Sequence, residues 1–185
     1  MKSELKTPQV VVITGGNSGI GRSTAITLAN AGYKVFATMR SLERGAKLRE
    51  ATRKLDLDIT AIELDVSDDA SVADGFRQIL GSTDQIDVLI NNAGIGSNAV
   101  IEDVNIQLDK KVFETNFWGP VRCIQAALPT MRAQRSGHII QVSSIAGRIG
   151  LPAQPIYSAS KWALEGLSEN LAHDLSSFGL RVSII

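Results

Sequence analysis

Short apolar runs alternate with longer helical stretches along the chain, and this alternation limits the possible folds more than any other feature. The first run, Val10-Val-Val-Ile13, has no polar side chain, which is typical of a strand buried on both faces of a sheet. Such strands, when they alternate with helices, form an α/β fold in which helices cover both faces of a parallel sheet. The predicted strands are 10–13, 35–38, 59–64, 86–90, 138–142 and 180–185, and the predicted helices are 20–31, 42–55, 67–80, 103–134 and 156–177.

Length and charge narrow the class of protein further. The 185 residues suit one domain, predicted over 9–185 after a polar lead over 1–8. The 19 basic and 19 acidic side chains cancel, which argues against nucleic acid or an anionic membrane as a partner. The single cysteine, Cys123, fits a reducing compartment, and we find neither a signal peptide nor an apolar stretch that could span a bilayer. We therefore predict a cytoplasmic protein, with no metal site and no membrane partner.

The C-terminal end of the sequence stops inside a predicted strand. Val182-Ser-Ile-Ile185 is followed by no turn, cap or polar tail. A sheet that finishes on a bare apolar strand exposes an unpaired edge, which proteins normally cover. We therefore interpret the sheet as incomplete at its C-terminal edge and the chain as truncated.

A glycine-rich turn, Thr14-Gly-Gly-Asn-Ser-Gly-Ile-Gly21, joins the first strand to the first helix. Residues without Cβ let the backbone approach an anion, and the helix N-terminus offers free N–H groups. The fingerprint G-x-G-x-x-G fails because Thr24 stands at its last position, and a P-loop fails because Arg22 replaces the required lysine. The pattern T-G-x-x-x-G-x-G is met in full, while a tight turn without a ligand stays open. The turn alone predicts a nucleotide site and no more.

The end of the second strand indicates which dinucleotide would bind. NAD-binding proteins commonly place a carboxylate there to hold the ribose hydroxyls. Here the chain reads Ala37-Thr-Met-Arg40, with no acid. Arg40 could pair with a 2′-phosphate through two parallel hydrogen bonds, although an ordinary surface arginine is the alternative. We therefore predict NADP(H) as the preferred cofactor, with NAD(H) as the second choice.

Tyr157 and Lys161 are the residues that could perform acid–base chemistry. Their i and i+4 spacing places both side chains on one face of a helix. An ammonium at about 6 Å stabilises a phenolate by about 3 kcal/mol at an effective dielectric of 20, which lowers the phenol pKa by about two units. By itself the pair is more commonly an exposed helical pair. Polar residues after neighbouring strands strengthen the hypothesis, since the carboxyl edge of an open sheet is where ligands bind; these are Ser143-Ser144 and Asn91-Asn92-Ala93-Gly94, together with Asn116 in a helical run.

With these motifs in order, the sequence resembles the short-chain dehydrogenase/reductase family from about residue 9 to residue 185. The resemblance implies a Rossmann-like doubly wound parallel sheet with helices on both faces. It also implies an NADP-dependent oxidoreductase that transfers a hydride between nicotinamide and a carbonyl or secondary alcohol carbon. The motifs that carry it are the glycine turn, Asp65, Asn91 to Gly94, Asn116, Ser144, Tyr157 and Lys161.

The resemblance assigns a role to each matching residue. Tyr157 would be the acid/base, Ser144 would stabilise the substrate oxygen, and Lys161 would lower the tyrosine pKa and hold the nicotinamide ribose. Asn116 would anchor a water that links Lys161 to solvent. Besides Tyr157 and Lys161, the implied cofactor-binding residues are Gly15, Asn17, Ser18, Gly19, Ile20, Gly21, Arg40, Asp65, Val66, Asn92, Ala93 and Gly94.

Other functions remain as alternatives at this point. Members of the family continue past the sixth strand with substrate-binding elements, so we expect little turnover from the 185-residue form. The alternatives are a catalytically silent NADP(H)-binding regulator, an inactive fragment or, against the arguments above, a P-loop phosphotransferase.

The apolar residues after Ser144 favour an apolar small-molecule substrate. The resemblance also implies a homodimer or homotetramer that associates through the two long helices.

Overall fold

Six parallel strands form one sheet in a computed structural model that describes residues 8–185. The predicted doubly wound α/β architecture is confirmed. The polar lead predicted over 1–8 lies, apart from Pro8, outside the described residues. In chain order the strands are β1 (Val10–Ile13), β2 (Lys34–Met39), β3 (Ile59–Glu63), β4 (Val88–Asn91), β5 (Gly137–Gln141) and β6 (Leu180–Ile184), and their order across the sheet is β3-β2-β1-β4-β5-β6.

Helices connect the strands and cover both faces of the sheet. They are α1 (Gly19–Asn30), α2 (Ala46–Leu55), α3 (Asp69–Leu80), α4 (Ile106–Phe113), α5 (Gly119–Gln134) and α6 (Pro155–Ser176). Short 3-10 helices lie at Leu42–Gly45, Ile101–Asp103 and Ile145–Gly147. The helix predicted over 42–55 therefore starts with a 3-10 turn, and it has one fully buried side chain, Leu48.

The prediction of one continuous helix over 103–134 is wrong. Asn105 interrupts it at the start, because its side-chain oxygen accepts the backbone N–H groups of Gln107 and Leu108 at 3.1 Å and so caps α4. A π-helical segment, Glu114–Trp118, then separates α4 from α5. The discontinuity thus lies in the segment that contains Asn116, just before Gly119-Pro120.

The apolar strands bury side chains on both faces, as their sequence predicts. All of β1 is buried, and its side chains alternate between two hydrophobic clusters. One cluster joins the sheet to α3, α5 and α6, and the other joins it to α1 and α2. The central strand is therefore held from both sides.

Strand β4 begins two residues later than predicted. The backbone of Ile86 is paired with a side chain instead of a neighbouring strand: its N–H donates to Gln134 Oε1 at 2.9 Å, and its carbonyl accepts from Gln134 Nε2 at 3.0 Å. A side-chain amide thus replaces the ladder hydrogen bonds at this position.

The strand order places a crevice beside β1. Its neighbours are β2 on one side and β4 on the other. The chain therefore continues from β1 to β2 and β3 on one side, and then crosses to β4, β5 and β6 on the other side. In open α/β sheets, ligands bind at the carboxyl ends of the strands at such a switch point. The glycine turn lies at this place.

Candidate active site

The glycine turn follows β1 and runs directly into α1. Gly15 has φ +68° and Gly19 has φ +52°, conformations that residues with a Cβ rarely adopt. The Gly16 amide donates to the carbonyl of Thr38 in β2 at 2.9 Å, which fastens the turn to the neighbouring strand. Ser18 precedes α1 without a side-chain capping bond, so the first amides of the helix are left for solvent or a ligand.

Hydrogen bonds tie this turn to the residues after β4. The hydroxyl oxygen of Thr14 accepts the backbone N–H groups of Asn92 and Ala93, each at 3.0 Å. In return, Asn92 Nδ2 donates to the Thr14 carbonyl at 2.8 Å. A Cβ on Gly21 would overlap both Asn92 Nδ2 and the Gly15 carbonyl oxygen. The junction between β1 and β4 is therefore closed so tightly that only glycine fits at position 21.

A cavity of about 540 Å³ runs along the carboxyl edge of β1, β2, β3 and β4. A volume of this size is typical of a small-molecule or cofactor site. Except for Tyr157 and Lys161, every residue predicted to bind the cofactor lines it: Gly15, Asn17, Ser18, Gly19, Ile20, Gly21, Arg40, Asp65, Val66, Asn92, Ala93 and Gly94.

A second cavity, of about 380 Å³, adjoins the first and contains the candidate acid–base pair. The two cavities share the lining residues Ile20, Asn92, Gly94 and Ile95. Tyr157 and Lys161, from the first turns of α6, line the second cavity. The structure thus places the predicted tyrosine and lysine next to the glycine-turn cavity.

Lys161 is almost fully buried, at 5% exposure, and its ammonium lies 5.9 Å from the centre of the Tyr157 ring. Its Nζ donates a hydrogen bond to the Val142 carbonyl at 2.8 Å. Burial lowers the pKa of Lys161 to about 8, although the nearby carboxylate of Glu165 acts in the opposite direction. Near neutral pH the lysine is therefore still mainly charged but close to its titration range.

Asn116 joins the loop after β4 to α6. Its Oδ1 accepts the Ile95 N–H at 2.9 Å, and its Nδ2 donates to the Ile95 carbonyl at 2.8 Å and to Ser160 Oγ at 3.1 Å. Ser160 Oγ in turn donates to the carbonyl of Tyr157 at 2.7 Å. Because it lies in the π-helical segment, Asn116 can reach both partners, and such segments are frequent at functional sites.

Ser144 begins the 3-10 turn that follows β5, and its hydroxyl accepts the N–H of Ala146 at 3.2 Å. This turn packs against α6. Ser144 does not line either of the two cavities described above. The structure therefore places Tyr157 and Lys161 on the second cavity. Asn116 lies behind that cavity, bonded to Ile95 of its lining, and Ser144 lies on the turn beside α6.

Several site residues were missed by sequence reasoning. Arg44 lines the first cavity together with Arg40, and both side chains are exposed. Their spacing of four residues was the available signal, but the 3-10 turn that directs both to one cavity was not predicted. The other cavity residues not predicted are Met39, Leu64, Ile95 and Thr115 in the first cavity and Gly96, Ser97, Asn98, Val142 and Gln154 in the second.

Two further features concern metals and membranes. In the part of the chain from 8 to 185, no group of three or more His, Cys, Asp or Glu side chains is arranged to hold a metal ion. Over the same range, none of the helices is both long enough and apolar enough to cross a bilayer.

Comparison with known proteins gives the site a family. Residues 9–185 match the family model described as short chain dehydrogenase. The chain belongs to the short-chain dehydrogenase family. The resemblance found in the sequence is thereby confirmed.

Individual relatives of this short-chain dehydrogenase chain are similar over nearly its whole length. Retinol dehydrogenase 8 of Bos taurus is 41% identical over 182 residues, which are 96% of this chain and 58% of the relative. The 17-beta-hydroxysteroid dehydrogenase type 1 of Homo sapiens is 40% identical over 182 residues, 95% of this chain and 55% of the relative. The chain thus spans less than two thirds of the length of these relatives.

A solved structure shows the same arrangement of elements. A metagenomic short-chain oxidoreductase, crystallised in complex with NADP, is 30% identical and superimposes with a TM-score of 0.90 over 95% of this chain and 79% of its own. The fold of this short-chain dehydrogenase chain is therefore that of an NADP-binding oxidoreductase of known structure.

The tight junction at Gly21 gives a first prediction. Gly21→Ala places a methyl group against the backbone oxygen of Gly15, which cannot move away as a flexible side chain could. We expect a loss of about 2 kcal/mol or more in the free energy of unfolding, measured by urea denaturation. Gly166→Ala is the control, because nothing lies within 4 Å of its added Cβ in the exposed surface of α6. Equal stability of the two variants would contradict the proposed fit.

Proposed function

We propose that this protein is an NADP(H)-dependent oxidoreductase that interconverts a carbonyl group and a secondary alcohol, with Tyr157 as the acid/base. The observation that carries the proposal is the placement of Tyr157 and Lys161 on a cavity that adjoins the glycine-turn cavity. A nucleotide held at the turn and a substrate held at the tyrosine would then lie side by side. The chain spans 58% of the length of the retinol dehydrogenase that it resembles, and the activity is proposed for the whole protein.

The first cavity suits the dinucleotide in shape and chemistry. The missing Cβ atoms of Gly15, Gly16 and Gly21 leave no bulk at the turn, and the uncapped start of α1 offers N–H groups to a pyrophosphate. Asp65 and Val66, after β3, would hold the adenine end, and Asn92 to Gly94 would line the middle of the cofactor. When bound, the nicotinamide supplies or accepts the hydride.

Tyr157 moves the proton that balances the hydride. In the reducing direction its hydroxyl donates a proton to the carbonyl oxygen, and in the oxidising direction the phenolate takes the proton from the alcohol. The buried ammonium of Lys161 lies 5.9 Å from the centre of the Tyr157 ring, where it would stabilise negative charge that develops on the reacting oxygens, since charges interact more strongly away from water.

Ser144 and Asn116 complete the proposed chemistry. The hydroxyl of Ser144 would turn from the Ala146 amide to donate a hydrogen bond to the substrate oxygen as negative charge develops there. Asn116 holds the loop after β4 against α6 through Ile95 and Ser160. It would thereby fix the position of the first cavity relative to the second. In this role it would also position the water that connects Lys161 with solvent.

The preference for NADP(H) over NAD(H) is proposed from the end of β2. Arg40 and Arg44 are exposed, line the first cavity, and form no ion pair within the described chain. Free guanidinium groups of this kind pair well with a phosphate. A solved relative binds NADP, which supports the same choice.

An apolar substrate is proposed from the residues that follow Ser144. Ile145 and Ile149 are 63% and 52% exposed, which is unusual for large apolar side chains beside a site. They offer an apolar wall to a substrate whose reactive oxygen points to Ser144. The relatives named for retinol and for a hydroxysteroid are consistent with this class.

Association of two copies is proposed for the surface of the long helices. Trp118, next to α5, and Trp162, on α6, are 47% and 53% exposed. Burial of these rings against a second copy would remove large apolar surfaces from water. We expect light scattering to give a mass at least twice that of the monomer, and a monomeric mass at micromolar concentration would contradict the proposal.

Localisation in the cytoplasm stays a prediction.

Tyr157→Phe tests the proposed acid/base. The variant keeps the ring and loses the hydroxyl, so turnover of a carbonyl substrate with NADPH should fall by a factor of about 10² to 10⁴. Cofactor binding, followed by NADPH fluorescence, should change by less than about twofold because the phenol is not a phosphate ligand. Tyr33→Phe, which removes the hydroxyl of the second tyrosine, is the control. If Tyr157→Phe retained normal turnover, the assigned role would be wrong.

Arg40→Gln tests the cofactor preference. Loss of a charge-assisted pair with the 2′-phosphate should weaken NADPH binding by about 10- to 100-fold and leave NADH binding unchanged. The measurement is a fluorescence titration with both cofactors. Arg53→Gln, in the exposed surface of α2, is the matched control. An equal loss for NADPH and NADH would rule out recognition of the 2′-phosphate by this residue.

A further inference from the structure

Side chains from α6 contact the segment after β5 at two points, one helical turn apart. Lys161 Nζ donates to the carbonyl of Val142, just before the 3-10 turn, at 2.8 Å. Glu165 Oε2 lies 3.0 Å from Arg148 Nη2, just after that turn. Ser144 lies between these two contacts, so α6 holds the serine-bearing segment at both of its ends.

The turn fits against Glu165 with almost no free space. A Cβ on Gly147 would lie 3.1 Å from Glu165 Cγ and 2.8 Å from Ser143 Oγ. These distances are shorter than ordinary van der Waals contacts, so an added methyl group would push on the side chains of Ser143 and Glu165. The turn is therefore in close contact with the side chain at 165.

The charge of Glu165 is enclosed. The residue is 7% exposed, whereas the side chain of Arg148 is 62% exposed. Glu165 Oε2 accepts no aligned hydrogen bond, so its contact with Arg148 is an ion pair. A buried carboxylate with so few partners is costly unless a second positive charge lies near it. Lys161, one turn earlier on the same face of α6, is that charge.

Other charged groups are present on the elements that pack against α6. They are the buried Asp109 and the exposed Lys110 and Lys111 on α4, Glu114 in the π-helical segment and Arg181 on β6. Burial lowers the pKa of Lys161, and Glu165 is the carboxylate that raises it in opposition. The ammonium state of Lys161 therefore depends on a residue outside both cavities.

We propose that Glu165 is a positioning residue for the reaction described above. Together with Arg148 it anchors the Ser144 turn on α6, and by its charge it keeps Lys161 in the ammonium form beside Tyr157. The proposal rests on the proposed function for its catalytic consequence, but the charge coupling between Glu165 and Lys161 can be measured without turnover.

The charge coupling is tested by titration of Lys161. The measurement is the NMR shift of the lysine side-chain signal that disappears in Lys161→Met, followed against pH in the protein without substrate. In the unaltered protein the midpoint is expected near the pKa of about 8. Glu165→Gln should lower it by about one pH unit, because the opposing negative charge is gone. Glu165→Asp keeps the charge and should keep the midpoint within about 0.3 of the original.

Glu169→Gln is the matched control. It is the same substitution one turn further along α6, at an exposed position where water screens the charge. Its lysine midpoint should not change. A lysine midpoint that stays constant in Glu165→Gln, or that falls equally in Glu169→Gln, would overturn the charge coupling. A folded state for every variant is checked by its urea unfolding transition, and Glu165→Asp provides the comparison if Glu165→Gln is too unstable.

The catalytic consequence is tested in the same variants. At neutral pH, Glu165→Gln should reduce kcat by about twofold through the loss of the ammonium form alone, and further through the loss of the anchor on the Ser144 turn. The KM for NADPH should change by less than about twofold, because the residue lies outside the cofactor cavity. Raised KM with normal kcat would overturn the positioning role. Absence of turnover in the unaltered protein would count against the proposed function instead, and the lysine titration would still decide on the coupling.

Discussion

The hydrogen bonds between the ends of β1 and β4 hold the rest of the site in place. The Thr14 hydroxyl accepts two backbone N–H groups after β4, and the Asn92 side chain donates back to the turn after β1. This junction fixes the glycine turn relative to the loop after β4. Asn116 then fixes that loop to α6. A cofactor-sized cavity and the proposed acid–base pair are thereby joined through a short series of hydrogen bonds between buried or half-buried groups.

Burial of a cation is the main energetic conflict in this arrangement. An ammonium that leaves water loses most of its solvation, so burial lowers the pKa of Lys161 to about 8. The Val142 carbonyl and the Glu165 carboxylate offset part of this cost. The lysine is therefore charged but close to titration, and its field acts on Tyr157 in a region with little water. A lysine in full contact with solvent would be charged as well, but its effect on the phenol would be screened.

Much of the fold could be predicted because the strands have an unambiguous pattern. A run such as Val10–Ile13, apolar at every position, fits only a strand covered on both faces. The errors have local causes. The start of β4 depends on Gln134, distant in sequence, whose side chain takes the backbone groups of Ile86. The long fourth helix was predicted as continuous because the π-helical segment around Asn116 keeps a helical pattern of side chains.

The sequence by itself determined the doubly wound sheet, the family, the glycine turn and most of the residues that line the first cavity, because each depends on local patterns or on motifs of fixed spacing. Only the tertiary structure decided how α6 meets the segment after β5. The burial of Lys161, its bond to Val142 and the pairing of Glu165 with Arg148 join residues from different elements. Electrostatic effects of this kind depend on distance and on exclusion of water, and neither quantity is contained in the order of residues.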